Sequence, residues 1–323
     1  MAKIFVTSKI SESALDLLKS VGEVEVWESE ETLNGDALFE KMKDKDAVLT
    51  MVNNFVTDDM ISRASNLKII GNCGVGYNNI DIESAEKHGV IVTNTPDVLN
   101  DATADLTWAL ILGIARRIVE ADKFVREGKF KGWLPHLFIG NMVYGKKLGI
   151  IGMGRIGTAV CERAKGFHME VYYYNRRRLP NEKEEALNAR YMDLESLLRE
   201  CDYITIHAPL NEDSYHLIGR DELNLMKKDA YLINTSRGPL IDEQALYEHL
   251  KAGKIAGAAL DVYEHEPEIV EGMTELDNVI LLPHIGSATY ETRTKMAELA
   301  ANNIANVLSG KAPITPVTKM NER

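Results

Sequence analysis

A glycine-rich motif in the middle of the chain limits the possible folds more than any other feature. Residues 148–157 read LGIIGMGRIG, in which Gly152, Gly154 and Gly157 fit the spacing G-x-G-x-x-G. An apolar run leads into the motif, and a helical pattern and a second apolar run follow it, ending at residue 174. The spacing alone also occurs in ordinary turns, but this order of strand, loop, helix and strand is typical of a dinucleotide-binding βαβ unit. It predicts a tight turn at Gly152, close approach of a pyrophosphate to Gly154, and a helix packed closely on its strand at Gly157.

Composition and charge narrow the class of protein. The 323 residues, 45% of them hydrophobic, suggest about two domains on a prior of roughly 150 residues each. The net charge of −12 disfavours nucleic acid and anionic membrane surfaces as partners. No apolar run reaches the ~18–20 residues of a membrane span, and the N-terminus lacks a signal-peptide pattern, so we expect a cytoplasmic protein. The isolated Cys73, Cys161 and Cys201 are expected to be reduced core thiols, and without closely spaced Cys or His pairs no metal site is predicted.

Strand and helix patterns alternate before the glycine motif. This alternation predicts parallel βαβ units, and hence a complete small α/β domain at the start of the chain. The predicted strands are 3–6, 24–27, 47–52, 68–71 and 90–93, and the predicted helices between them are 12–20, 35–43, 57–64 and 82–88.

The second half of the chain continues the α/β pattern and ends in a helix. That helix, predicted over 290–309, is expected to return to the first domain. We therefore predict two doubly wound parallel-sheet domains, with the second inserted into a discontinuous first. The predicted domains are 1–99 with 287–323, for the substrate, and 100–286, a Rossmann dinucleotide-binding domain. The late strands are predicted over 203–207, 230–234, 256–261 and 279–282.

One long helix is predicted over 101–128, and it is apolar nearly all round between residues 106 and 115. A helix without a polar face must be buried on several sides. We expect it between the two domains or against a second subunit, with a central core helix of a monomer as the alternative. The aromatic loop over 133–144 is a second candidate for contact with a partner chain.

An arginine, a carboxylate and a histidine follow three late strands. Because parallel strands end at one edge of a sheet, Arg237, Glu266 and His284 are expected at that edge, near the glycine motif. These types suit hydride transfer to a 2-oxo acid: the guanidinium grips the carboxylate, the imidazole donates a proton, and the carboxylate orients the imidazole and favours its charged form. Asp261 and Glu264 compete with Glu266 for that last role. Taken singly, each residue has an ordinary structural explanation; the combination favours catalysis.

Further stretches reveal a family resemblance over essentially the whole length. They read CGVGYNNID (73–81), HAPL (207–210), INTSRGPLIDEQAL (233–246), ALDVYEHEP (259–267) and PHIGSAT (283–289). With GMGRIG, they resemble the D-isomer-specific 2-hydroxyacid dehydrogenase family, most closely its glyoxylate/hydroxypyruvate reductase branch.

The resemblance implies a flavodoxin-like substrate domain, a Rossmann domain, a cleft between them, and a homodimer formed through the nucleotide domain. The family's catalytic residues fall on Arg237, Glu266 and His284, and its carboxylate-binding loop falls on Val75 and Gly76. Reduction of glyoxylate or hydroxypyruvate to the D-2-hydroxy acid is the implied activity. There are two alternatives. One is a D-lactate-type or other D-2-hydroxyacid dehydrogenase that uses NAD, and the other is a dinucleotide-sensing scaffold without turnover.

The end of the second Rossmann strand bears on the choice of cofactor. An acidic residue there would bind the ribose 2′-hydroxyl of NAD, but this chain has Asn175, Arg176, Arg177 and Arg178. An arginine can pair with a 2′-phosphate, so we predict that NADP(H) is preferred over NAD(H); for Arg178 a solvated basic turn is a competing interpretation. Asn53 is added to Val75, Gly76, Arg237 and His284 as a substrate-binding candidate. The predicted cofactor-binding residues are Thr103, Gly152, Met153, Gly154, Arg155, Ile156, Gly157, Asn175, Arg176, Arg177, His207, Ala208, Pro209, Thr235, Ser236, Arg237, Asp261, His284 and Gly286.

Overall fold

A computed structural model describes residues 1–319, and the chain divides into two compact units. The first unit comprises Met1–Leu99 together with the chain from Ser287 onward, and the second comprises Asn100–Gly286. Residues 320–323, which the sequence analysis assigns to the first domain, lie outside the described residues. No helix within residues 1–319 is both long and apolar enough to cross a membrane.

The first unit is a five-stranded sheet flanked by helices, with every strand pairing parallel. The strand order is β2-β1-β3-β4-β5, which matches the parallel α/β pattern predicted from the sequence. Its strands are β1 (Ala2–Val6), β2 (Gly22–Val26), β3 (Ala47–Met51), β4 (Ile69–Cys73) and β5 (Ile91–Thr93). Its helices are α1 (Glu12–Lys19), α2 (Gly35–Met42), α3 (Asp58–Arg63), α4 (Ile82–His88) and, from the end of the chain, α12 (Tyr290–Leu308).

The C-terminal helix α12 packs on α1, β3 and β4 of this same unit. A Cβ atom at Gly71 in β4 would lie 2.9 Å from Ile304 Cδ1 and 3.3 Å from the carbonyl oxygen of Ala300, so the helix lies directly on the strand. The predicted return of the last helix to the first α/β unit is confirmed.

The second unit contains a seven-stranded parallel sheet in the order β12-β11-β10-β9-β6-β7-β8. The chain reverses its direction of growth between β6 and β9, and such a switch point is where open α/β sheets bind ligands. The strands are β6 (Lys147–Ile151), β7 (Glu170–Tyr174), β8 (Ala189–Tyr191), β9 (Tyr203–Ile206), β10 (Tyr231–Asn234), β11 (Gly257–Leu260) and β12 (Val279–Leu281). The helices are α5 (Asn100–Ala115), α6 (Ile118–Arg126), α7 (Arg155–Ala164), α8 (Asn181–Leu187), α9 (Leu194–Glu200), α10 (Arg220–Leu225) and α11 (Glu243–Lys251).

The prediction of one helix over 101–128 is wrong, because the chain breaks at Arg117. This residue takes a left-handed conformation (φ 52°), ending α5 and serving as the N-cap of α6. Its guanidinium donates to both carboxylate oxygens of Glu120 at 2.8 Å, which holds the corner.

The first of these two helices, α5, packs on α7, β10, β11 and β12. Much of its apolar surface is therefore buried within the second unit. The three cysteines are buried and free, as predicted.

Candidate active site

The glycine loop between β6 and α7 has the conformation that its spacing predicts. Gly152 has a φ of +99°, and a Cβ atom there would lie 2.6 Å from the backbone nitrogen of Ala208. A Cβ atom at Gly157 would lie 2.3 Å from the carbonyl oxygen of Gly152. At Gly154, by contrast, a Cβ atom would meet nothing within 4 Å, and this N-cap residue lacks a side-chain cap. The loop thus opens at the start of α7, and its polar N-terminus suits a pyrophosphate.

The segment after β9 lies against this loop. His207 contributes backbone atoms to the contact with Gly152, and its Nε2 lies 2.9 Å from Thr205 Oγ1. Its Nδ1 is buried without a hydrogen-bond partner among residues 1–319. Burial lowers the pKa of His207 to about 3, so the imidazole is neutral at physiological pH.

The side chains of the residues after β7 contact different parts of the second unit. Asn175 Oδ1 accepts a hydrogen bond from the backbone N–H of Met153 at 2.7 Å, which ties the strand end to the glycine loop. Arg178 forms two hydrogen bonds with Glu184, at 2.8 and 2.7 Å, and is therefore a structural residue. Arg176 forms an exposed ion pair with Asp213 at 2.7 Å. Arg177 is exposed and makes no ion pair within the described part of the chain.

Glu266 and His284 form a direct pair beyond the ends of β11 and β12. Glu266 Oε2 lies 2.8 Å from His284 Nδ1, and each side chain is 32% exposed, so the pair remains accessible to a ligand. The backbone N–H of Tyr263 donates to Glu266 Oε1 at 3.1 Å. Burial on its own would raise the pKa of Glu266, but the hydrogen bonds from His284 and Tyr263 and the charge of Arg237 lower it below its usual value.

Arg237 follows β10 in a turn that Asn234 holds in place. Asn234 Nδ2 donates to the carbonyl oxygen of Arg237 at 2.8 Å, and Asn234 Oδ1 accepts from both the N–H and the hydroxyl of Ser236. Burial lowers the pKa of Arg237, while the charge of Glu266 acts in the opposite direction. The structure thus brings Arg237 into electrostatic contact with the Glu266–His284 pair.

The predicted cofactor-binding threonines meet at the same strand end. Thr235 Oγ1 lies 2.9 Å from Thr107 Oγ1, and Thr107 in turn donates to the carbonyl oxygen of Thr103. A Cβ atom at Gly286 would lie 3.5 Å from Thr103 Cγ2. The loops after β10 and β12 therefore converge on the start of α5.

Asp261 and Glu264, the two competing carboxylates, have other partners. Asp261 is fully buried and accepts the backbone N–H groups of Ile285 and Gly286, each at 2.7 Å. Glu264 Oε1 lies 2.7 Å from His216 Nε2. Asp261 therefore fixes the backbone beside His284, and Glu266 is the carboxylate that contacts the imidazole.

Glu243, at the first position of α11, is a supporting residue that the sequence analysis missed. Its carboxylate is 4% exposed and accepts the backbone N–H groups of Glu264 at 2.7 Å and of Val270 at 3.1 Å. These contacts bracket the turn that carries Glu266. An acidic residue in the first turn of a helix is ordinary, so its sequence position gave no signal of this role.

The predicted substrate-binding residues Val75, Gly76 and Asn53 lie in the first unit. Val75 and Gly76 are in the loop after β4, which is partly exposed. Asn53 follows β3, the neighbouring strand, and its Nδ2 donates to Thr32 Oγ1 at 2.9 Å.

Comparison with known proteins shows similarity over the whole chain. The family model described as "D-isomer specific 2-hydroxyacid dehydrogenase, NAD binding domain" matches residues 108–286. A glyoxylate reductase of Thermococcus litoralis is 50% identical over 321 residues, covering 98% of this chain and 97% of that protein.

Solved structures are similar to both units. A Thermus thermophilus protein has a TM-score of 0.92 and 40% identity, covering 98% of this chain and 100% of the other. An NADPH-dependent glyoxylate/hydroxypyruvate reductase of Sinorhizobium meliloti, crystallised with NADP and malonate, has a TM-score of 0.87 and 31% identity, covering 100% and 99% of the two chains.

Proposed function

We propose that this chain, which belongs to the D-isomer specific 2-hydroxyacid dehydrogenase family, reduces glyoxylate to glycolate, or hydroxypyruvate to the D-2-hydroxy acid, with a nicotinamide dinucleotide. The observation that carries the proposal is the 2.8 Å contact between Glu266 and His284, at the sheet edge where the glycine loop and Arg237 also lie. The substrate class is that of the similar reductases of Thermococcus litoralis and Sinorhizobium meliloti.

In the proposed reaction each member of the trio has one task. Arg237 binds the substrate carboxylate with two parallel N–H groups, which orients the neighbouring carbonyl. His284, with Nδ1 held by Glu266, presents Nε2 as the proton donor to the carbonyl oxygen. Glu266 keeps the imidazole oriented and stabilises its charged form. The bound dihydronicotinamide supplies the hydride.

The second unit has the features needed to hold that cofactor. The open backbone at Gly154 and the start of α7 suit the pyrophosphate, and Gly152 leaves no space for a side chain. Further contacts with the cofactor are proposed at the edge of the sheet. They come from residues 207–209, from Thr103, Thr107 and Thr235, and from Gly286. We assign dinucleotide binding to residues 100–286, and we assign to Val75, Gly76 and Asn53 of the first unit a share in substrate binding beside that of Arg237 and His284.

We further propose that NADPH is preferred over NADH. The strand end offers Asn175 and two exposed arginines where a carboxylate would repel a 2′-phosphate. Arg177 has no competing ion pair within residues 1–319, and Arg176 has to exchange only an exposed partner, Asp213. Exposed ion pairs are weak, about 0–1 kcal/mol, so this exchange costs little.

The assembly that we propose is a homodimer formed through the second unit. Large apolar side chains are exposed on and after α6, which is unusual for the surface of a monomer. They are Ile118, Val119, Val125, Phe130, Trp133, Leu134, Ile139, Met142 and Tyr144, and Trp133 is 81% exposed.

The test is a steady-state assay of glyoxylate, hydroxypyruvate, pyruvate and a bulkier 2-oxo acid with NADPH and with NADH. We expect the highest kcat/KM with glyoxylate or hydroxypyruvate and NADPH. A clear preference for NADH would contradict the cofactor proposal, and turnover of none of these acids would contradict the proposed reaction.

A further inference from the structure

The loop after β4 has an unusual set of hydrogen bonds, in which three consecutive carbonyl groups are fixed by donors outside the loop. The carbonyl oxygen of Gly74 accepts from the backbone N–H of Thr95 at 2.9 Å. That of Val75 accepts from Asn94 Nδ2 at 2.8 Å, and that of Gly76 from Asn72 Nδ2 at 2.9 Å. Two of the three donors are side-chain amides, whereas a simple turn is held by backbone hydrogen bonds alone.

This arrangement determines where the N–H groups of the loop point. The peptide bonds concerned are trans, and in a planar trans peptide the N–H points opposite to the C=O. With the three carbonyls directed toward their donors, the N–H groups of Val75, Gly76 and Tyr77 are directed away from them. None of these three N–H groups donates to an acceptor within the described chain. Successive backbone N–H groups that lack a protein acceptor are available to bind an anion.

The orientation of the Asn72 amide is itself fixed. Asn72 is fully buried, and its Oδ1 is reached by two donors, Thr50 Oγ1 and Asn79 Nδ2, both at 3.3 Å. Its NH₂ group must therefore face the carbonyl of Gly76. The Asn79 amide also donates to the carbonyl oxygens of Met51 and Asn54, so the network ties the end of β3 to the loop.

Asn94 is held from the opposite side by the end of the chain. The hydroxyl of Thr315 donates to the carbonyl oxygen of Asn94 at 2.6 Å, and the backbone N–H of Asn94 donates to the carbonyl oxygen of Thr315 at 3.3 Å. Thr315 is in turn bonded to Asn303 of α12 through both its N–H and its hydroxyl. The donor to Val75 is thus anchored by the helix that completes this unit.

We propose that Asn72 and Asn94 are positioning residues, which turn the N–H groups of Val75, Gly76 and Tyr77 outward to hold the carboxylate of the substrate. The inference rests on the proposed function for the identity of the anion, a 2-oxo carboxylate. It adds a third donor, the Tyr77 N–H, and two side chains that do not themselves touch the substrate.

The test compares Asn94→Leu with wild type on glyoxylate and on its neutral methyl ester. Leucine keeps the branched shape of asparagine but removes the donor, and Asn94 is only partly buried, so the variant is expected to fold. We expect KM for glyoxylate to rise about tenfold, the scale of one charge-assisted hydrogen bond, with KM for the ester nearly unchanged. The Kd of NADPH, measured by fluorescence, should not move.

A matched control is Asn278→Leu in the other unit, whose amide also donates to backbone carbonyls, those of Leu250 and Ala256. This control variant should leave the ratio of KM for glyoxylate to KM for the methyl ester unchanged. Equal losses on both substrates in Asn94→Leu, or no loss on glyoxylate, would overturn the inference.

A second measurement keeps the inference separate from catalysis and from the folding of any variant. Oxalate is added to ¹⁵N-labelled wild-type protein, and the backbone amide resonances of Val75, Gly76 and Tyr77 are followed. Selective shifts of these three resonances on addition of oxalate would support the anion site. An absence of turnover with every 2-oxo acid would refute the proposed function but not the anion site. Unchanged resonances at the highest soluble oxalate concentration would overturn the inference, whatever the enzyme assay shows.

Discussion

At the scale of single residues, the properties of the site depend on opposed effects acting on Glu266. Burial disfavours its charged form, whereas the hydrogen bonds from His284 and Tyr263 and the charge of Arg237 favour it. The net effect is that the pKa of Glu266 lies below its usual value. A carboxylate that stays ionised beside an imidazole stabilises the protonated imidazole, which is the form needed to deliver a proton during reduction.

The Glu266→Gln variant tests this coupling through its pH profile. Glutamine retains the size of the side chain but removes the charge, so the imidazolium of His284 loses its stabilising partner. We expect kcat/KM for reduction to be lower in the variant than in wild type throughout the profile, because His284 then lacks the charged partner that orients its imidazole and stabilises the protonated form. Glu264→Gln is the control, because Glu264 contacts His216 instead, and it should not displace the profile. Superimposable profiles of wild type and Glu266→Gln would refute the coupling.

The residue types of the site could be predicted from the sequence, but their partners could not. Glu266, Glu264 and Asp261 all follow the same strand within six positions, and each is a reasonable partner for a histidine. The choice depends on the directions of the side chains: Asp261 turns to the backbone of Ile285 and Gly286, and Glu264 turns to His216. Asn94 and Glu243 escaped prediction because they act on backbone groups distant in sequence, those of Val75 and Glu264.

At the scale of elements, the buried Glu184 of α8 joins that helix to β7. It accepts hydrogen bonds from Arg178 and from the hydroxyl of Tyr173, and these lower its pKa to about 2 despite burial. A carboxyl whose pKa is lower in the folded state than the value of 4.5 expected in the unfolded chain stabilises the fold above that value. The contribution is lost as the pH falls from 4.5 toward 2.

The corresponding prediction concerns Glu184→Gln, which removes the charge and weakens the pair with Arg178. The melting temperature of the variant should lie below that of wild type at neutral pH. The difference should shrink as the pH falls through the range from 4.5 to 2, because wild-type Glu184 then becomes protonated as well. Thermal melts at a series of pH values measure it, with the exposed Glu182→Gln as control. A difference that grows on acidification would contradict this assignment.

Most elements could be predicted from their hydrophobic periodicity, and the failures have local causes. The strands β9 and β10, which have clear apolar runs, were predicted to within a residue at each end. The strand β8 escaped prediction because its three residues, Ala189–Tyr191, carry too little pattern. The break at Arg117 escaped because the helical pattern continues through it; the corner depends on the left-handed backbone and the contact with Glu120.

At the scale of the whole molecule, the exposed apolar side chains between residues 118 and 144 support the proposed homodimer. We expect light scattering after size-exclusion chromatography to give twice the mass of 36.1 kDa for wild type. The double variant Phe130→Asp/Trp133→Asp should shift toward the monomer, because burying two carboxylates in an interface is costly. Tyr290→Asp, at an equally exposed aromatic of the first unit, should remain dimeric. A wild-type monomer at micromolar concentration would refute the dimer.

Isotope labelling follows the proposed transfer of hydride to a 2-oxo acid with His284 as the proton donor. NADPH labelled with deuterium at the transferred C4 position is incubated with glyoxylate, and the glycolate is analysed by mass spectrometry. If this mechanism holds, wild type places one deuterium at C2 of the glycolate, and His284→Ala reacts more slowly by about two orders of magnitude or more. Glycolate without deuterium, or labelled product formed as fast by His284→Ala as by wild type, would contradict it.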